Sequence, residues 1–332
     1  MKALLSLATL LLAGQPQSLQ FRAQPELELR RSLHERQELK LTDIRMVVEQ
    51  GEHSEDVSPG AFAEMEMVLE SQAEWTDRFE AVHEGQPRQV QRSFDRVQAR
   101  RTQSGGRGTR PGNPHEHDRE RYSPLVGQNV RFTWKEEEGE WRTAYVLKEG
   151  QAEPDRAWLK ELRPEADFQS LLPAEPEGPG QEWELSAQDL YAALYPGGFL
   201  GQCDGEENFA TAANLHVGFR DGLEGQGTAR WKENKDGRAV IEWTAELGTT
   251  IAEEPGIPAH ATAHFRIERK TRYKLELSGA LVWDLERQRA RTFHAKGPLG
   301  VEIETRNIAD EGPVTIRTQV LQGTFEANAE IE

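Results

Sequence analysis

His115, Glu116, His117 and Asp118 place two imidazoles and two carboxylates in four consecutive residues of NPHEHDRERY (113–122). These side chains bind zinc, and in an extended chain His115 and His117 lie on one side, within reach of a single ion. A zinc site takes three or four ligands held in fixed geometry and backed by a second ring of hydrogen bonds. The surrounding stretch 102–121 contains no apolar residue, so nothing in it can anchor such a geometry to a core. It reads as a polar excursion between strands, and no metal site is assigned.

The other chemistry-bearing residues are equally sparse. His260 and His264 form H-x-x-x-H without the glutamate of the zinc-protease pattern, and HERQE at 34–38 lacks a second histidine. Cys203 is the one cysteine, which excludes an internal disulfide. Asp204, Glu206 and Glu207 stand beside it and disfavour a thiolate. There is no nucleophile elbow, Walker loop or dinucleotide fingerprint. No catalytic residue is assigned, and no cofactor is implied.

One charged pattern stands out. Arg88, Arg92, Arg96 and Arg100 recur every four residues, so they share a stripe on a helix and a face on a regular strand. Such a row could hold an anionic partner, or it could be a solvated face. It lies in a locally basic stretch, 85–121, with nine arginines against Asp95, Glu116, Asp118 and Glu120. The whole chain has 40 basic and 57 acidic residues, a net charge of −17, which argues against nucleic acid as a partner.

The elements that must carry these residues are strands. In 261–285 the odd positions Ala261, Ala263, Phe265, Ile267, Tyr273, Leu275, Leu277, Leu281, Trp283 and Leu285 are apolar. The even positions include His264, Arg266, Glu268, Lys270, Arg272, Lys274 and Glu276, so one sheet face is buried. A run this long is expected to bend or break near 269–271, where the apolar face lapses. Ala239 to Leu247 repeat the alternation after an Asp236-Gly237 turn, and Phe293 to Ile303 repeat it with an interruption at Gly297-Pro298. In 314–331 the apolar parity switches from even to odd near Gly323, as a β-bulge would produce.

The N-terminal half shows the same rhythm. Met65, Met67, Leu69, Ala73, Trp75 and Phe79 share odd parity before a turn at 83–87, and 128–134 with 140–146 form a second hairpin. Two short helices are expected at 154–162 and 186–198, the second capped by Ser186 with Asp189 in its first turn. The organisation is then a signal peptide at 1–14, an N-terminal β region at 15–150 with a polar loop at 102–121, a helix-containing connector at 151–200, and an antiparallel meander at 201–332. The first segment has Lys2, an apolar run to Leu12 and then Ala13-Gly14. That pattern predicts export to the periplasm or medium, with no span left in the mature chain.

The stretch SGALVWDLERQRARTFHAKG (278–297), with Gly279, Leu281, Trp283, Asp284 and Gly297, resembles the final strands of uncharacterised exported bacterial proteins. The long meander is similar to the open, curved β-barrel of periplasmic lipoprotein carriers of the LolA and LolB kind. That resemblance implies a concave apolar sheet able to cover a lipid, and no catalytic residues.

The expected fold is therefore mainly β: a long curved antiparallel sheet or open barrel with two short helices, arranged as one body or as two β subdomains. The expected function is non-catalytic binding of an apolar or lipid-like ligand, with Trp243, Phe265, Tyr273, Trp283 and Phe293 as the wall and an envelope protein as a further partner. Two alternatives stand beside it. One is a structural or envelope-interaction protein with a self-filled core, and the other is an enzyme without a recognisable motif.

Overall fold

The computed structural model describes residues 19–60, 64–105, 117–164, 167–198, 200, 222–255, 265–309 and 312–332. The N-terminal segment 1–14, His115, Cys203, His260 and His264 lie outside them, as do the side chains of His117 and Phe265.

The alternating pattern builds a single antiparallel sheet of thirteen strands. The strands are β1 (Glu28–Gln50), β2 (His53–Asp56), β3 (Met65–His83), β4 (Gln86–Gly105), β5 (His117–Tyr122), β6 (Asn129–Lys135) and β7 (Glu140–Tyr145). After the connector come β8 (Glu182–Ser186), β9 (Glu224–Lys235), β10 (Arg238–Glu253), β11 (Phe265–Asp284), β12 (Arg289–Ala309) and β13 (Val314–Ile331). Their order is β7-β6-β4-β3-β1-β13-β12-β11-β10-β9-β8, with β2 beside β1 and β5 beside β4. The sheet is mainly β as the sequence predicts, open rather than closed. Pairing of β1 with β13 zips the first and last described strands together, so the N-terminal region and the C-terminal meander share one sheet.

Local chemistry fixes the turns. Glu84-Gly85 and Asp236-Gly237 have φ values of 52° and 81°, and 51° and 73°. Two consecutive positive φ angles are what a tight hairpin between right-twisted strands requires. The strands are more continuous than the sequence suggests. β11 runs unbroken through Arg269–Thr271, because Arg269 meets Glu253 of β10 in an ion pair at 3.0 Å. β12 runs through Gly297-Pro298, and no bulge occurs at Gly323, since β12 and β13 keep register from Thr292↔Glu330 to Ile308↔Val314. The bulge sits instead in β1, where Thr42 is the extra residue between Leu41↔Leu321 and Asp43↔Val320.

One face of the sheet, called inner here, carries the core: Trp75, Phe94, Phe132, Trp231, Trp283, Phe293 and Phe325 are fully buried. The outer face is polar. Along one row, Lys296, Glu326, Arg36, Glu70 and Arg100 are successive cross-strand partners, so their charges alternate. Opposite charges directly across a pair add modestly to sheet stability.

The connector packs on the inner face. Arg156–Leu159 and Gln169–Leu171 form 3-10 turns, so the helix expected over 154–162 is a single short turn. Helix α1 (Ala187–Leu194) is the one α-helix among the described elements. Ser186 and Asp189 close a capping box, which satisfies two N-terminal amides. Leu190 of α1 rests over Gly227 of β9, where a Cβ would come within 3.2 Å of it.

Candidate functional site on the inner face

The inner face has two parts of different character. Over β9–β12 it is filled by the connector. Phe168 stacks on Phe293 with ring centroids 4.6 Å apart, and Trp243 stacks on the same ring at 5.8 Å. Phe168 adopts φ 59° to make this contact. Gly279 lies under the Trp243 ring, where a Cβ would come within 2.6 Å of the indole. The glycine of the G-x-L-x-W-D stretch thus serves close packing.

At the β3–β4 end a buried charge cluster fastens the connector to the sheet. The Arg92 guanidinium donates from Nε to Asp77 Oδ1 at 2.7 Å and from Nη2 to Asp77 Oδ2 at 3.1 Å. It also donates to the carbonyls of Arg163 (3.0 Å) and Pro164 (3.3 Å), both in the connector. It lies between the rings of Trp75 and Phe132, 5.5 and 5.0 Å from their centroids. Gly197 leaves room for it, since a Cβ there would stand 2.7 Å from Nη1. Arg31 Nη1 lies 3.4 Å from Asp77 Oδ2. Burial lowers the Arg31 pKa and raises that of Asp167, the latter against the pull of Arg31. A buried bidentate pair with every donor engaged specifies geometry, and that is the role this cluster can fill.

Toward the middle of β1 the inner face carries Glu35 and Gln37. Gln37 Nε2 donates to Glu35 Oε1 at 2.6 Å. Burial pushes the Glu35 carboxyl up to about 7, against the Gln37 hydrogen bond. Its cross-strand partners are small, Ala327 and Ser71.

Beyond this the long strands continue. The bulge at Thr42 re-aims β1, so that Ile44, Met46 and Val48 pair with Gln319, Arg317 and Thr315 on the face that Leu321 shares. Were the alternation regular through Thr42, with no bulge, these three side chains would turn outward. Ile251 and Ile267, of β10 and β11, lie on the same side, and all five are partly buried. Tyr273, inside β11, is buried, and burial raises its hydroxyl pKa.

The residues expected as a ligand wall are thus dispersed. Trp243, Trp283 and Phe293 are enclosed in the packed core, and Tyr273 lies further along the strands. The arginine row does not share one face. Register shifts by one residue between Glu74↔Arg96 and Trp75↔Phe94, leaving Asp95 as the extra residue. Arg88 and Arg92 therefore point inward, whereas Arg96 and Arg100 point outward opposite Glu74 and Glu70. Arg88 reaches Glu136 at 3.4 Å, and Arg96 reaches Glu74 at 3.4 Å.

Arg31, Glu35, Gln37, Asp77 and Asp167 were not singled out from sequence. For the four on strands a trace was present: they are polar residues at the apolar parity of β1 and β3. Among the described residues no three of His, Cys, Asp and Glu are placed to hold a metal ion, and no helix is long and apolar enough to cross a membrane. No family model matches this chain, and no curated protein matches it in sequence.

Proposed function

We propose that the protein is an exported, non-catalytic carrier that holds an apolar or lipid-like molecule against the inner face of its open sheet. The observation that carries this reading is a set of apolar side chains that the inner face keeps past the packed connector, among the polar Gln319, Arg317, Arg269 and Glu253. Ile44, Met46, Val48, Ile251 and Ile267 remain partly buried there, and a bulge keeps the first three turned inward. An open antiparallel sheet with one short helix on its inner face also accords with the resemblance to carriers of the LolA and LolB kind. Glu35, whose carboxyl burial pushes up to about 7, offers a polar group on the same face of β1.

A second reading is favoured by the stack of Phe168 on Phe293, which sets a connector side chain against the inner face. On that reading the protein is a structural or envelope-interaction protein.

The deciding experiment is native mass spectrometry of the protein recovered from periplasm or medium, followed by organic extraction. The carrier reading expects a stoichiometric lipid-like adduct, diminished in Met46→Asp. A bare protein mass that stays unchanged after incubation with mixed lipid vesicles overturns it and leaves the structural reading.

A further inference from the structure

The aspartate that ends the G-x-L-x-W-D stretch is followed by three arginines at alternate positions, Arg287, Arg289 and Arg291, where β11 turns into β12. Asp284 is the acid they share. Arg289 is its cross-strand partner, and Arg291 Nε lies 3.8 Å from its Oδ2. The backbone amides of Glu286 and Arg287 donate to its Oδ1 at 3.1 and 2.9 Å. Both carboxylate oxygens are thus engaged, and Arg287 and Arg289 are left without an ion-pair partner among the described residues. Arg287 is exposed, whereas Arg289 is 9% exposed. Of the guanidinium nitrogens of Arg289, Nε alone is sealed from solvent without a partner; Nη1 and Nη2 stay open at the turn. Burial lowers the Arg289 pKa, and the charges of Arg287, Arg291 and Arg31 lower it further, against the pull of Asp284. A largely buried cation that has like charges around it and no counter-ion is costly.

We propose that the β11–β12 turn binds a phosphate group through Arg287 and Arg289. Two unpaired guanidiniums match the two charges of a phosphate dianion, and their forked N–H donors fit its oxygens. A carboxylate, with one charge, offsets only one of them. The chain as a whole carries −17, so its field repels a distant anion, and binding has to come from contact with these two side chains. Free phosphate and the phosphate of a lipid head group present the same chemistry to the turn. The proposal does not rest on the lipid-carrier reading, which concerns the other end of the long strands.

The test is a phosphorus NMR titration of the full chain with inorganic phosphate at constant ionic strength, with acetate as competitor. Saturable broadening of the phosphate signal is expected, with acetate displacing it only at about tenfold higher concentration or more, as one charged hydrogen bond gives. Arg289→Gln and the exposed Arg287→Gln are each expected to weaken phosphate about tenfold or more. Arg131→Gln, whose partner is Glu80, is expected to leave it unchanged. Flotation with phosphatidylcholine vesicles, with and without phosphatidic acid, separates the two sources. Recruitment by phosphatidic acid that Arg287→Gln abolishes assigns the site to a lipid head group, and no recruitment assigns it to free phosphate. Absence of saturable phosphate binding overturns the proposal whatever the vesicles do. So does binding that both Arg287→Gln and Arg289→Gln leave unchanged, or acetate that competes as well as phosphate itself.

Discussion

Arg92 and Asp77 lie on adjacent strands with both side chains turned inward and two hydrogen bonds between them, and the same guanidinium holds two connector carbonyls. The pair joins sheet and connector through one buried ion. Arg92→Ala leaves Asp77 buried with only Arg31 and the Trp75 indole N–H beside it, and a loss of about 3–5 kcal/mol of unfolding free energy is expected. Replacing both residues by leucine is expected to cost less than the single change, because the Asp77 charge is then gone and Arg31 keeps Asp167 as an acidic neighbour. Urea denaturation of the three proteins measures both, and equal losses for the single and double variants would refute the account.

Glu35 gives a pH dependence whose sign follows from its raised pKa. The folded protein keeps this proton to about 7, whereas the unfolded chain releases it near the ordinary glutamate value of 4.5. Between those values the folded state binds more protons, so its contribution is complete below about 4.5 and stability falls as pH rises through 7. With allowance for partial exposure the fall is on the order of 1–3 kcal/mol. Glu35→Gln is expected to remove that fall, gaining on the parent protein at pH 8 but not at pH 4. Denaturation midpoints at the two pH values decide it, and an equal difference at both rejects the assignment.

Gly279 is expected to tolerate no side chain. Gly279→Val drives a branched Cβ into the Trp243 ring and toward the His294 carbonyl. Overpacking of this kind costs about 1–3 kcal/mol. Gly300, two positions along β12 beyond Pro298, makes a control, since a Cβ there meets only the Lys274 carbonyl at 3.9 Å: Gly300→Val is expected to cost less. Thermal melts of the two variants test the contrast.

Phe168→Ala is expected to destabilise the fold by about 3 kcal/mol, because it removes one ring of the stack on Phe293 and leaves a cavity. If the connector is the lid of a carrier, the same change also raises uptake of an apolar fluorescent probe. Loss of stability without added uptake points to the structural reading.

Much of the architecture was legible because strands write their burial into the chain with a period of two. Odd-numbered Leu275, Leu277, Leu281 and Trp283 face the core as that period requires, and the Asp-Gly turn before Ala239 lies where its positive φ angles demand. The capping box at Ser186 and Asp189 was likewise local. What misled was also local. The lapse at Arg269 looks like a break until Glu253 is seen across the strand, and the parity change near Gly323 looks like a bulge although β12 and β13 stay in step.

By itself, then, the sequence determined the strand content, the buried parity and the tight turns, since each depends on neighbours within a few residues. Tertiary structure alone decided that β1 pairs with β13, that the arginine row divides between two faces, and that Asp77, Arg31 and Arg92 meet. Those outcomes rest on which strand lies beside which and on single-residue bulges at Thr42 and Asp95. A bulge changes no composition and no local propensity, yet it turns every later side chain to the other face.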